Sequence, residues 1–286
     1  MAGIPTNRTN IALPTEVSSE ILAKTQESSA IMRLARQIAL PGRGLTIPVI
    51  TSDPEAAWVG ETDAKPVSNP GVETKIMQAY KIAVIVPFSK EFIRDAASLY
   101  DELIRRIPNS LGKKFDGTVF GNGNAPGSNF DQLTGITAQA IDTDAYAGLV
   151  AADSDIAIHG GIMNGIALSP QGKGVLLAAK DGNERPLFIN NVAEGAVPMV
   201  LGAKTELSRG AYVAGSPNVV GVAGDWTQAM YGTVDGVEIS YSEDATLTTS
   251  GGTTINLFQN NMVAVRAEIE VGFRADKTVF NALTAA

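Results

Sequence analysis

The chain of 286 residues contains no cysteine and only one histidine. Without thiols there is no disulfide framework, no thiolate metal site and no cysteine nucleophile. His159 lies in IAIHGG, where no acid, nucleophile or second imidazole stands beside it, so it reads as a structural or surface side chain. No run approaches the ~18 apolar residues of a membrane-spanning helix, and no membrane contact is expected. The start, MAGIPTNRTN, lacks the apolar centre of a secretory signal. Positive charge is also scarce. The 22 Lys+Arg face 30 Asp+Glu, a net charge of −8, which argues against a basic nucleic-acid binder. Aromatics make up only 6%, so each one placed in a polar setting is informative.

What is present is ordinary globular chemistry, 44% hydrophobic and 18% charged, long enough for one large core or two moderate ones. Residues 1–16 carry Pro5 and Pro14 without any period and read as an extended arm. Residues 16–28 suit a short helix capped by Thr15, and 30–40 reads as a strand or a second short helix. LTIPVI (45–50) is apolar on one face, with Pro48 marking an edge or bent strand. Residues 72–88 begin amphipathic and become apolar on both faces from Ile82 to Val86, as a strand entering a core would. Together these stretches frame a hairpin arm reaching about 40–50 Å. A two-stranded ribbon of that length is marginal alone, and its natural support is a neighbouring subunit.

Ser89 caps a helix through Ala97, and Ser98 with Asp101 resembles a capping box opening a longer one. The long helix carries Leu99, Leu103, Ile107, Leu111, Phe115 and Val119 at i, i+4 spacing, and Pro108 predicts a kink or a fresh start. From 128 to 250, helical signals at 155–166 and 171–180 alternate with strand-like runs at 186–190, 196–202, 218–224 and 236–242. That texture is a mixed α+β lobe. Residues 255–274 alternate as a strand with Val263, Val265, Ala267, Ile269 and Val271 on one face, and they pair with 72–88.

Little site chemistry accumulates. The glycines at 121–127 follow a helix instead of opening one, so they end it and do not cradle phosphate. Pro170 to Gly174 lacks the remaining positions of a P-loop and reads as a helix start. Asp142-Thr-Asp144 and Asp153-Ser-Asp155 do not continue into a calcium loop, and helix caps explain Asp153 to Asp155. Arg105, Arg106, Lys113 and Lys114 form a modest basic patch. With Asp101, Glu102 and Asp116 on the same helix it reads first as a solvated mixed face, and second as a weak polyanion contact. The one enzyme-like group is Trp58 between Glu55 and Glu61, within DPEAAWVGETDAKPVSNPG (53–71). A carboxylate-dependent hydrolase needs two acids held at a fixed separation, and these sit on an arm. No cofactor or metal site is expected.

The order of arm, helix, hairpin, long helix, inserted lobe and closing strand resembles the major capsid proteins of tailed bacteriophages, the family with the Hong Kong 97 fold. AAWVGETDAKPVSNPGVETKIMQAYKIAVIVPFSKEFIRDA is similar to that family's extended-loop segment, and KKFDGTVFGNGNAPG to the end of its spine helix. LLAAKDGNERPLF and VVGVAGDWTQAMYG resemble the inserted lobe, and NNMVAVRAEIEVGFRADKTVFNAL the closing strand and C-terminus. The resemblance implies an N-terminal arm at 1–16 and an extended loop at 41–80. It implies a peripheral lobe of 17–40, 81–126 and 253–286, and an axial lobe of 127–252. It further implies pentamers and hexamers of an icosahedral shell, made in a bacterial cytoplasm and enclosing double-stranded DNA, with a portal protein as partner. An encapsulin-type nanocompartment is the alternative on the same fold. Many family members carry a long N-terminal scaffolding segment, whereas here the fold is expected within about sixteen residues of Met1, so a separate scaffolding protein, or none, is expected. Family members that cross-link join Lys to Asn. Lys65, Asn260, Asn261 and Asn281 match that chemistry at no position, and no cross-link is expected. Trp58, Glu61 and Lys65 are expected at an intersubunit contact.

Overall fold

The computed structural model describes residues 24–286, except 27, 43, 53, 55, 60–63, 66, 69–70, 96, 182, 189–198 and 250. The expected arm at 1–16 and the Thr15 cap lie outside the described residues. So do Glu55 and Glu61.

Two short segments replace the single element expected at 30–40: helix α1 (Ala30–Leu34), capped by Ser29, and strand β1 (Arg36–Ala39). Strands β2 (Leu45–Ser52) and β3 (Gly71–Met77) form an antiparallel ribbon, from Leu45↔Met77 outward. The long strand expected at 72–88 is broken at Gln78 and Ala79, after which β4 runs from Tyr80 to Ser89. Ser89 accepts the Phe92 amide at 3.0 Å and caps α2 (Lys90–Asp95), as its sequence position indicates.

Helix α3 (Ala97–Val119) is continuous through Pro108, so no new helix starts there, and Ser98 lies inside its first turn. Burial explains its path. Ile107, Leu111, Phe115 and Val119 are all buried, and the core on that side holds the helix in one piece across the missing amide bond. Phe115 meets Phe130 and Phe273 edge-on, with ring centroids 6.3 Å away in each case.

The second half supplies β5 (Thr137–Ala140), α4 (Ala145–Ile158), β6 (Gly165–Leu168) and α5 (Pro170–Ala178). Helix α4 begins ten residues before the expected 155–166 signal. Its cap is Asp144, which accepts the Ala147 amide at 2.9 Å, while Asp153 and Asp155 lie within the helix. Then come β7 (Met199–Val200), β8 (Ala203–Leu207), β9 (Asn218–Gly224), β10 (Ala229–Thr233) and β11 (Glu238–Ser242). The run at 186–190 yields only an isolated bridge, Lys180 with Pro186, where described. The chain ends with β12 (Thr246–Thr248), β13 (Thr254–Asn256), β14 (Met262–Ala275) and β15 (Phe280–Ala285).

Two main sheets organise these strands. In the five-stranded one, β14 takes β4 along one edge, from Met262↔Ser89 to Val271↔Tyr80, and β10 and β11 along the other. The second has the order β5-β15-β9-β6-β8-β7. Each draws strands from both sides of residue 252. β10 and β11 join the sheet of β14, and β15 joins the sheet of β9. In effect β9–β10 and β14–β15 form one antiparallel ribbon running through both sheets. It kinks at two matching turns, where Asp225 accepts the Thr227 amide and Asp276 the Thr278 amide. Trp226 packs edge-on to Phe280 at this kink, with centroids 5.1 Å apart.

Candidate intersubunit interface

The β2–β3 ribbon pairs with no other strand among the described residues, and its root is built to hold it out. Gly44 turns the chain at φ +84°, where a side chain would also crowd the Met77 carbonyl. Gly272 on β14 leaves room for the Gln78 carbonyl, which would stand 2.6 Å from a Cβ at that position. Arg274 then clamps the root. Its Nε donates to the Ile76 carbonyl at 2.9 Å, and its Nη1 pairs with Asp131 at 2.9 Å. Because Val271 pairs with Tyr80 while Arg274 reaches Ile76, β3 continues roughly in line with β4, and the ribbon leads away from the body.

At its far end Trp58 is 105% exposed, and Val67 is 88% exposed. Lys65 is exposed as well. The described part of the subunit therefore brings no cover to the indole, which forgoes about 1.5–3 kcal/mol of burial. The second expectation for this region fails inside the subunit. β4 is not buried on both faces, since Lys81, Ala83, Ile85 and Pro87 face outward and Ile85 is 46% exposed. Around Lys81 the sheet surface is ionic, with Glu268 at 3.0 Å and Glu270 at 3.4 Å. The Lys81 hydrogen bond holds the Glu268 carboxyl below its ordinary range.

On helix α3, Arg105 and Arg106 are exposed, and so are Lys113 and Lys114 about two turns further on. Asp116 is not exposed with them, which corrects its place in the mixed face read from the sequence. It is fully buried and accepts from Ser29 Oγ at 2.5 Å, Ser208 Oγ at 2.6 Å and the Ala30 amide at 2.9 Å. Burial pushes its pKa up, against those donors. One carboxyl thus joins the N-terminal helix, the long helix and the turn after β8. Its neighbours Phe115 and Lys114 give no signal of this, because the donors stand some ninety residues away.

The remaining candidates resolve simply. His159 ends α4, exposed, with Nδ1 2.8 Å from the Asp155 carbonyl oxygen. Asn281 is buried with its amide donating to the Ala152 carbonyl at 3.1 Å, and Asn260 donates to the Asn256 carbonyl at 2.7 Å. Among the described residues, no group of three or more His, Cys, Asp or Glu could hold a metal ion. No helix among them is long and apolar enough to cross a membrane.

Comparison with known proteins places this architecture. The profile described as the phage capsid family matches residues 9–279. A probable major capsid protein of Mycobacterium phage D29 is 28% identical over 289 residues, covering 95% of this chain and 89% of that protein. The major capsid protein of Staphylococcus phage 80alpha is 28% identical over 287 residues, covering 96% and 85%. Among solved structures, one from Gordonia phage Cozz superposes with a TM-score of 0.73 at 22% identity, covering 90% of this chain and 86% of that one. One from Mycobacterium phage Ogopogo gives 0.74 at 18% identity, covering 90% and 92%. These last two likenesses show the fold. The family match spans nearly the whole chain, and the chain belongs to the phage capsid family, as a tailed-phage major capsid protein of the Hong Kong 97 fold.

Proposed function

We propose that copies of this chain assemble through the β2–β3 arm and both sheets into pentamers and hexamers of an icosahedral shell around double-stranded DNA. The observation that carries this reading is Trp58, fully exposed on a ribbon that no other described strand of the subunit supports. The subunit works by contact and carries out no catalysis. Glu61 and Lys65 flank the contact, and a portal completes the particle. The axial lobe comprises 127–224 with 277–286, following the sheets, and the peripheral lobe takes 225–276 with the hairpin and α3. On α3 the exposed Arg105 and Arg106 face the genome and touch it weakly, with Lys113 and Lys114 able to add to that contact where no neighbouring arm covers them. A chain of net charge −8 suits a container whose contents must enter and leave.

Electron microscopy of the purified protein, alone and co-expressed with its genomic neighbours, tests the proposal. Regular shells or capsomer rings are the expected result, with nuclease-protected DNA in particles from infected cells. A protein that remains monomeric under every condition defeats it. Particles from infected cells loaded with protein in place of DNA favour a nanocompartment.

A further inference from the structure

Between β4 and α3 lies a groove of about 370 Å³, walled by Tyr80, Ile82, Phe115 and Phe130, with Lys114 and Pro126 at its mouth. We infer that this groove is the socket for Trp58 of a second copy of the chain. The inference rests on the assembly proposed above and names the surface on which the arm's anchor lands.

Four observations converge. No described residue of its own subunit fills the groove, and its volume falls in the ~300–1,000 Å³ range of pockets that admit ring-sized groups. Its wall already holds an aromatic series, with Tyr80 edge-on to Phe130 at 6.1 Å and Phe130 edge-on to Phe115 at 6.3 Å. An indole extends that series, and the Lys114 ammonium at the mouth can lie over its face. Charge agrees as well. The tip of the arm, 53–70, carries Asp53, Glu55, Glu61 and Asp63 against one lysine, Lys65, whereas the α3 rim presents Lys113 and Lys114.

Reach excludes the chain's own tryptophan. The groove begins at Tyr80, just past the ribbon root, and β3 leads away from it in line with β4. Seven steps of β2 separate Leu45 from Ser52, about 24 Å at 3.4 Å each. Trp58 is six residues beyond Ser52, which spans at most about 22 Å fully extended. The tip cannot return to its own root while the ribbon stays paired. A neighbour's tip can.

The absence of native cysteine makes the test clean. Subunits carrying Val59→Cys are co-assembled with subunits carrying Ala83→Cys or Asn124→Cys, all three being exposed positions, and the shells are mildly oxidised. Disulfide-linked dimers that appear in the mixture and in neither single variant support the socket, because the bond requires Cα atoms within about 7 Å. Shells that form without cross-links, or that cross-link only when the partner variant is Phe258→Cys, overturn it while leaving the shell reading intact. If the unsubstituted chain forms no shells at all, both fall together.

Fluorescence gives a second readout, since the chain has two tryptophans and Trp226 is only 2% exposed. The emission difference between wild type and Trp58→Phe should move from the red side to the blue on assembly. An unshifted difference overturns the inference. Trp58→Ala should weaken subunit association roughly tenfold or more with an unchanged subunit melting curve. Undiminished association counts against the socket.

Discussion

Asp116 shows what one side chain can hold together. It sits fully buried on α3 and accepts hydrogen bonds from Ser29, Ala30 and Ser208, which belong to segments remote from it in sequence. Asp116→Ala strands buried donors at a cost of about 1–3 kcal/mol each, so a loss of at least about 3 kcal/mol is expected in urea unfolding. Asp116→Asn should lose less. The pH dependence has a definite sign. Burial raises this carboxyl above its ordinary value of 3.8, so the fold binds the proton more tightly than the unfolded chain does. Its stabilisation is therefore complete below the ordinary value and declines as pH climbs through the folded one. The wild type's advantage over Asp116→Asn should shrink across that window. An advantage that grows with pH would show that the donors outweigh burial. Nothing in KKFDGTVF announces this role, because an acid on a helix reads as surface and its partners are distant in the chain.

Among elements, legibility follows the locality of the physics. The short apolar run at 218–224 marks β9 to the residue, and the antiparallel match of β14 with β4 follows from two strand-like stretches that need each other. Helix α4 starts well before its expected signal because AYAGLVAADSDIAI is apolar all round. Its exposed face includes Tyr146, Val150 and Ile158, so no period marks its start. The pairing of β10 with β14 and of β15 with β9 joins strands distant in the chain, which composition does not encode. Of the proposed interface, the arm and Trp58 stand out in the sequence, while the groove near Tyr80 depends on how β4 meets α3. The arm also yields an element-level prediction. Its root is fixed by Arg274, Gly44 and Gly272, all outside the tip. Deleting 54–70 should therefore leave circular dichroism and the melting curve nearly unchanged and abolish shells in the microscope. Loss of the folded signal would place the tip in the subunit core.

At the scale of the molecule, charge and connectivity decide behaviour. A net charge of −8 coexists with a basic row on α3 from which Asp116 has been withdrawn into the core. Binding of DNA by the subunit should be weak and steeply salt-dependent. Replacing Arg105, Arg106, Lys113 and Lys114 by Gln should reduce the log–log salt slope by about 0.9 for every phosphate that these side chains neutralise. An unchanged slope in filter-binding or anisotropy titrations would show that this face does not touch nucleic acid. Connectivity sets the mechanics. Since β9–β10 and β14–β15 cross between the sheets side by side, tension on one sheet reaches the other along two hydrogen-bonded strands at once. Such a joint behaves as a beam and not as a hinge. In the shell proposed above, outward pressure on the wall should then be carried through each body without bending it, and any swelling should be taken up at the arms.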